Sequence, residues 1–146
     1  MSNSPQKSLY EKDFHTWLEH TVAKLKQHHF EEIDLDYLIE EVEGLAKRDQ
    51  RELKNRLRVL LAHLLKRTYV QSPNDYRGWE LTINEQRLQI QDLLEESPSL
   101  AAYIEEQLPQ LWQQALATVH KEYPALELPN WQHQDDIHSL LQESFW

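Results

Sequence analysis

Apolar residues keep one helical phase from Leu35 to Leu64, and this pattern constrains the fold more than any other feature. At about 100° per residue, one face of a helix collects Leu35, Leu38, Ile39, Val42, Leu45, Leu53, Leu57, Leu60 and Leu64. The pattern predicts one long helix from Asp34 to about Val70, with Gly44 as the place for any bend. The alternative is a break near Asp49, which begins a D-x-x-E capping pattern. Good helix formers between residues 45 and 58 favour the continuous helix.

Helical patterns also fill most of the remaining sequence. An amphipathic helix is predicted from Ser8 to about His28, with Ser8 and Glu11 as a capping box. Residues 71–78, QSPNDYRG, combine Pro, Asn-Asp and Gly and are predicted to form a loop. Further helices are predicted from about Trp79 to Glu96, from Ser97-Pro98 to about Tyr123 with a kink near Pro109, and from Gln134 to Gln142.

These elements predict an all-α fold: a single-domain bundle of four or five helices around a long leucine-rich central helix. With only two glycines, the chain is unsuited to a many-stranded sheet, which would need several Gly-containing turns. The domain is expected to cover residues 1–146, with a core at 8–123 and a C-terminal tail at 124–146. The tail carries Trp131, Ile137, Leu140, Phe145 and Trp146, so we expect it to dock on the bundle.

The charges of the chain are strongly segregated. Residues 47–67 hold eight of the fifteen basic residues and two acidic ones, a net charge of +6, whereas the remainder holds seven basic and 23 acidic residues, a net charge of −16. The interaction candidates are basic residues beside the leucine face and acidic residues that precede them on the same predicted helix: Lys47, Arg51, Lys54, Arg58, Glu40, Glu41 and Glu43. In a continuous helix, an antiparallel second copy would set the acidic group against the basic group, as a two-fold dimer requires. A hairpin near Asp49 would pair the groups inside one chain, and a third alternative leaves both solvated.

Composition bounds the classes of function. A net charge of −10 opposes general nucleic-acid affinity. The chain has no cysteine, no Gly-rich phosphate loop, no signal-peptide pattern at its start and no apolar run long enough to cross a membrane. A cytoplasmic location is therefore expected.

The histidines do not form a recognisable metal or catalytic pattern. Glu11, His15 and Glu19 share an exposed helical row, but no second element visibly contributes a ligand. His63 lies in the most apolar stretch, where a hydrogen bond at the edge of the bundle is favoured over a proton-carrying role. We expect no catalytic residue, no metal site and no cofactor.

Five sequence pieces occur in a distinctive order: YEKDFHTWLE, DLDYLIEEVEGL, RLRVLLAHLLKR, the 71–78 loop followed by Trp79 and INEQR, and SPSL. Together they resemble the bacterial family catalogued as domain of unknown function 29, which is common in cyanobacteria, closely from Leu9 to Leu100 and more loosely beyond. The resemblance implies an all-helical bundle in a bacterial cytoplasm. It implies no activity, and no functional residue transfers from it.

The sequence favours a non-catalytic helical protein-interaction module. A protein partner is expected, and a second copy of the chain is one candidate; no membrane is expected. One alternative is a nucleic-acid-associated protein that uses the basic 47–67 face. The competing explanation of the same basic strip is that it pairs with acidic helices of the same fold or subunit. The other alternative is an enzyme with an unrecognised carboxylate or histidine site.

Overall fold

The computed structural model describes residues 5–128 and 136–146, and all regular structure in these ranges is helical. Six α-helices follow in chain order: α1 Pro5–Lys12, α2 Phe14–Lys26, α3 Leu35–Tyr69, α4 Pro73–Glu96, α5 Leu100–Glu122 and α6 Ile137–Gln142. A 3₁₀ turn at Phe30–Glu32 precedes α3. The all-α prediction is confirmed. The helix count exceeds the expected four or five because α1 and α6, with eight and six residues, add to four long helices.

The central helix α3 is continuous over 35 residues. The favoured prediction is therefore confirmed, and the hairpin near Asp49 is wrong. Asp49 and Gly44 both lie within the helix, whose length is about 52 Å at 1.5 Å per residue. No hairpin within α3 therefore folds the acidic group back onto the basic group.

The predicted helix from Ser8 to His28 is wrong as a single element, because Asp13 interrupts it. The Asp13 carboxylate accepts a hydrogen bond from the Thr16 backbone N–H at 3.1 Å and another from the Thr16 hydroxyl at 2.8 Å. This N-cap begins α2 at Phe14. Ser8 lies inside α1 and does not start a helix.

The predicted loop at 71–78 is also wrong, since α4 already begins at Pro73. Ser72 is the N-cap residue, and its backbone carbonyl accepts from the Asp75 N–H at 2.9 Å. Proline suits the first helical turn because its φ is preset and no donor is lost there. Gly78 is tolerated inside α4. Similarly, α5 begins at Leu100, two residues later than predicted, and continues through Pro109.

The chain divides into two compact units, which we call unit 1 (Met1–Lys47) and unit 2 (Arg48–Trp146). Unit 2 contains the leucine-rich core. Its fully buried side chains include Leu53, Leu57, Leu60, Leu61, Leu64, Leu65, Ile90, Ile104, Leu108, Trp112 and Leu140. A single domain over residues 1–146 stays a prediction.

The described part of the C-terminal tail, residues 124–128 and 136–146, docks within unit 2, as predicted. Leu140 of α6 is fully buried in the core, and Phe145 packs against it. Arg87 of α4 donates from Nε to the Leu140 carbonyl at 2.8 Å and from Nη2 to the Glu143 carbonyl at 2.5 Å. Trp131 and Gln134, the predicted start of the tail helix, lie outside the described residues.

Unit 1 is held by a small aromatic cluster. Trp17 of α2 is 1% exposed, and the rings of Tyr10 and Tyr37 stack with their centroids 4.1 Å apart. The Tyr10 hydroxyl donates to Glu41 Oε1 at 2.5 Å, linking α1 to the first half of α3. This hydrogen bond, with burial and the negative charge of Glu41, raises the pKa of Tyr10 to about 12.

Candidate interaction surface

Exposed apolar side chains concentrate in unit 1. Of thirteen large apolar residues that are exposed among the described residues, nine lie between residues 14 and 45: Phe14, Leu18, Val22, Leu25, Phe30, Leu35, Ile39, Val42 and Leu45. Single exposed apolar residues are normal on a protein surface, but a concentration of them is typical of a binding surface.

The α3 part of this set continues the buried leucine face. Leu35, Ile39 and Val42 lie eighteen residues, or five helical turns, before Leu53, Leu57 and Leu60, and so at the same helical phase. The earlier three are 57%, 51% and 56% exposed, and the later three are fully buried. The apolar face of α3 is therefore exposed at these positions of its first half and buried at the equivalent positions of its second half. We call Leu35, Ile39, Val42 and Leu45 the α3 stripe.

A second exposed apolar row lies on α2. Phe14, Leu18, Val22 and Leu25 are each about two-fifths exposed, while Trp17 and Thr21 on the adjoining side of the helix are buried. An open groove of about 410 Å³ is lined by Leu18, Val22 and Ala23 together with Glu19 and Lys26. The helix thus has a wider apolar face than unit 1 covers.

The predicted basic candidates are free of carboxylate partners in the described structure. Lys47 and Arg51 are exposed, and Lys54 and Arg58 are half-buried. Arg58 donates to the amide oxygens of Gln114 and Asn55, both at 2.8 Å. The Lys and Arg ion pairs of the described residues use other bases: Arg56 with Glu52, Lys66 with Glu122, and Arg67 with Glu80.

The three acidic candidates differ in their surroundings. Glu40 and Glu43 are exposed and form no ion pair with a described residue. Glu41 is half-buried and accepts the Tyr10 hydroxyl. Glu41 is therefore already used by a hydrogen bond within unit 1, whereas Glu40 and Glu43 are available to an outside partner.

A further groove within unit 2 is rich in arginine. Arg48, Arg51 and Arg56 line an open space of about 530 Å³ with Glu52, Asn55, Val59 and Gln86. Arg56 is already used, since its guanidinium pairs with Glu52 at 3.1 Å and donates to Gln86 at 3.3 Å. Two arginines, Arg48 and Arg51, remain for an anionic ligand.

His63 forms the hydrogen bond that the sequence favoured. Its Nδ1–H donates to the Val59 carbonyl at 2.8 Å. Burial, with a smaller effect from the neighbouring Lys66 ammonium, lowers the pKa of His63 despite that carbonyl and Glu122. Lys66 lies 3.5 Å from the Glu122 carboxylate and 5.5 Å from the ring centroid of Trp79. Within the described ranges, no three His, Asp or Glu side chains converge as metal ligands.

A family model described as "Domain of unknown function DUF29" matches residues 9–146. The chain belongs to the DUF29 family. The match extends the resemblance seen in residues 9–100 through α5 and the docked tail. No curated protein and no solved structure matches this DUF29 chain. Over the described residues, none of its helices combines the length and apolar character needed to cross a membrane.

Proposed function

We propose that this DUF29 chain is a non-catalytic protein-interaction module whose contact surface includes the α3 stripe. The observation that carries the proposal is a change in burial along one face of α3. Leu53, Leu57 and Leu60 are buried. The residues at the same helical phase five turns earlier, Leu35, Ile39 and Val42, are exposed. Removing such apolar surface from water is favourable at roughly 25 cal/mol per Å². A helix face left open next to a covered one is thus suited to a partner helix.

Cysteine accessibility tests this proposal, because the chain has no natural cysteine and an introduced thiol is unique. Ile39→Cys places the thiol in the α3 stripe, and Leu81→Cys places a control on α4, where the native side chain is 59% exposed. Each variant is labelled with a maleimide as dilute pure protein, as concentrated pure protein and in native-host extract.

If the α3 stripe binds a partner, the thiol at residue 39 should react with maleimide more slowly in the concentrated sample or the extract than in the dilute sample. The thiol at residue 81 should react at the same rate in all three samples. Equal labelling of both positions under every condition would contradict an interaction at the α3 stripe. Circular dichroism of both variants checks that the helical fold is retained.

Nucleic-acid association remains a second candidate because Lys47, Arg51 and the arginine groove lack carboxylate neutralisation by the described residues, apart from the Arg56–Glu52 pair. Phosphate contacts by these residues would make binding fall steeply with salt. An electrophoretic shift that is lost on Arg48→Glu and Arg51→Glu would support this candidate. The acidic residues one to three turns earlier on α3 oppose it, since they repel a passing phosphate backbone.

A further inference from the structure

Seven charged residues form one row along α3. Asp36, Glu40, Glu43, Lys47, Arg51, Lys54 and Arg58 follow one another at spacings of four, three, four, four, three and four residues. At about 100° per residue they fall within an arc of about 80°. The first three are acidic and the last four are basic. We call this set the charge row.

The charge row changes sign about Lys47. Asp36 and Arg58 lie eleven residues on either side of Lys47, Glu40 and Lys54 lie seven residues away, and Glu43 and Arg51 lie four residues away. Every acid thus has a base at the mirrored position. A two-fold axis through Lys47, perpendicular to α3, would place each acid of one copy opposite its matching base in the other.

The mirrored charges cannot pair inside one helix, although Glu43 and Lys47, which are not mirrored partners, stand four residues apart and so at a spacing that allows a pair. Even the nearest mirrored residues, Glu43 and Arg51, are about 12 Å apart along the axis, and side chains on a helix meet at three or four residues. No member of the charge row forms an ion pair among the described residues. Arg58, the most occupied, binds only neutral amides.

We propose that the partner is a second copy of this chain, bound antiparallel along α3 with the two-fold axis at Lys47. This inference rests on the proposed function, because it names the occupant of that interaction surface. The charge row borders the α3 stripe: Ile39 lies about 40° from Glu43 around the helix. A partner helix along the row therefore reaches apolar surface as well. A parallel arrangement is disfavoured, since it sets acids against acids.

Lys47 opposes association in this arrangement, because the two-fold axis places it next to Lys47 of the second copy and the two positive charges repel. Lys47→Ala removes that repulsion and should strengthen self-association. Nucleic-acid binding by the same row requires the opposite result, since Lys47→Ala then removes a phosphate contact. This substitution separates the two candidates in one measurement.

Charge reversal in sedimentation experiments provides the main test. The wild-type protein should dimerise at tens of micromolar in low salt and dissociate as salt is raised. Glu43→Arg and Arg51→Glu should each weaken the homodimer about tenfold or more, because every reversal creates two like-charge contacts by symmetry. An equimolar mixture of the two variants should reassociate, since both symmetric contacts are then opposite in sign. The double variant on one chain should also recover.

Arg77→Glu is the matched control, since it makes the same charge change at an exposed position of α4, outside the charge row. It should leave self-association unchanged. Disulfide trapping tests the register: on mild oxidation, Lys47→Cys should give a linked dimer and Arg48→Cys should not.

Three results would overturn the antiparallel dimer: a wild-type monomer at both salt concentrations, a mixture no more associated than its component variants, or equal trapping at residues 47 and 48. Its failure is distinguishable from that of the proposed function. A monomer whose Ile39→Cys thiol is protected in extract retains the module with a different partner. A monomer without that protection loses both.

Discussion

Two leucines of α3 allow the uncovered face to be measured as a difference in stability. Leu35 and Leu53 have the same side chain and the same helical phase, but Leu35 is 57% exposed and Leu53 is fully buried. Leucine to alanine removes about three carbon groups, and at about 0.8 kcal/mol each the transfer loss is roughly 2.4 kcal/mol. The cavity left in a packed core adds to this, which gives about 3–4 kcal/mol for Leu53→Ala.

The same substitution at Leu35 should cost less than about 1 kcal/mol. More than half of that side chain is already in water, and alanine is a better helix former than leucine, which offsets part of the remaining loss. Urea denaturation followed by circular dichroism, at protein concentrations low enough to keep the chain monomeric, gives the free energy of unfolding for each variant.

A difference of at least about 2 kcal/mol between the two variants is expected. Equal losses would mean that Leu35 is covered, and a loss under about half a kcal/mol for Leu53→Ala would mean that Leu53 is not in the core. At high protein concentration, Leu35→Ala should lower the free energy of unfolding by more than it does in dilute protein. Association stabilises the folded wild-type chain, and the variant loses part of that stabilisation.

Three further predictions concern a helix cap, the tail and a histidine. Asp13→Ala should lower the melting temperature, whereas Asp13→Asn should retain most of it because an amide oxygen can still cap α2; equal losses would contradict the cap. Arg87→Gln should accelerate amide exchange in residues 136–146 more than in α5, since the Leu140 and Glu143 carbonyls lose their donor. Equal acceleration in both segments would contradict a role of Arg87 in docking the tail. Because the pKa of His63 is lowered in the folded state, its contribution to stability is complete above the unfolded pKa of about 6.5 and falls as the pH drops through the window below it. Denaturation at pH values above and below this window should show a smaller acid loss for His63→Gln than for the wild type, and identical losses would refute the assignment.

The sequence predicted the long helix because the phase of its apolar residues is a property of the chain itself. Leu53, Leu57 and Leu60 fell on the buried face as expected. Leu35, Ile39 and Val42 carry the same pattern and are exposed. Periodicity identifies the apolar face of a helix. Whether that face is buried depends on another element that covers it, and the periodicity of one helix does not identify that element.

Helix boundaries were less predictable where polar residues have two roles. Asp13 interrupts an amphipathic pattern that reads as continuous, because its carboxylate stabilises a new helix start. Pro73 and Gly78 read as loop residues, yet proline at the first turn and glycine within a well-formed helix are both compatible with α4. The spacing of the charge row is visible in the sequence. That all seven residues lie on one side of a single helix follows only because α3 is continuous through Asp49.

The mirrored order of the charge row has an evolutionary consequence. Its residues face solvent or lie half-buried, so reversing one of them changes the choice of partner more than it changes the fold. In an antiparallel dimer, a reversal at residue 43 is compensated by a reversal at residue 51 of the same gene. Related sequences should then show correlated charge changes eight residues apart, a distance at which no contact within one helix could link them. Gene copies that diverged in this way would form self-recognising pairs that ignore one another.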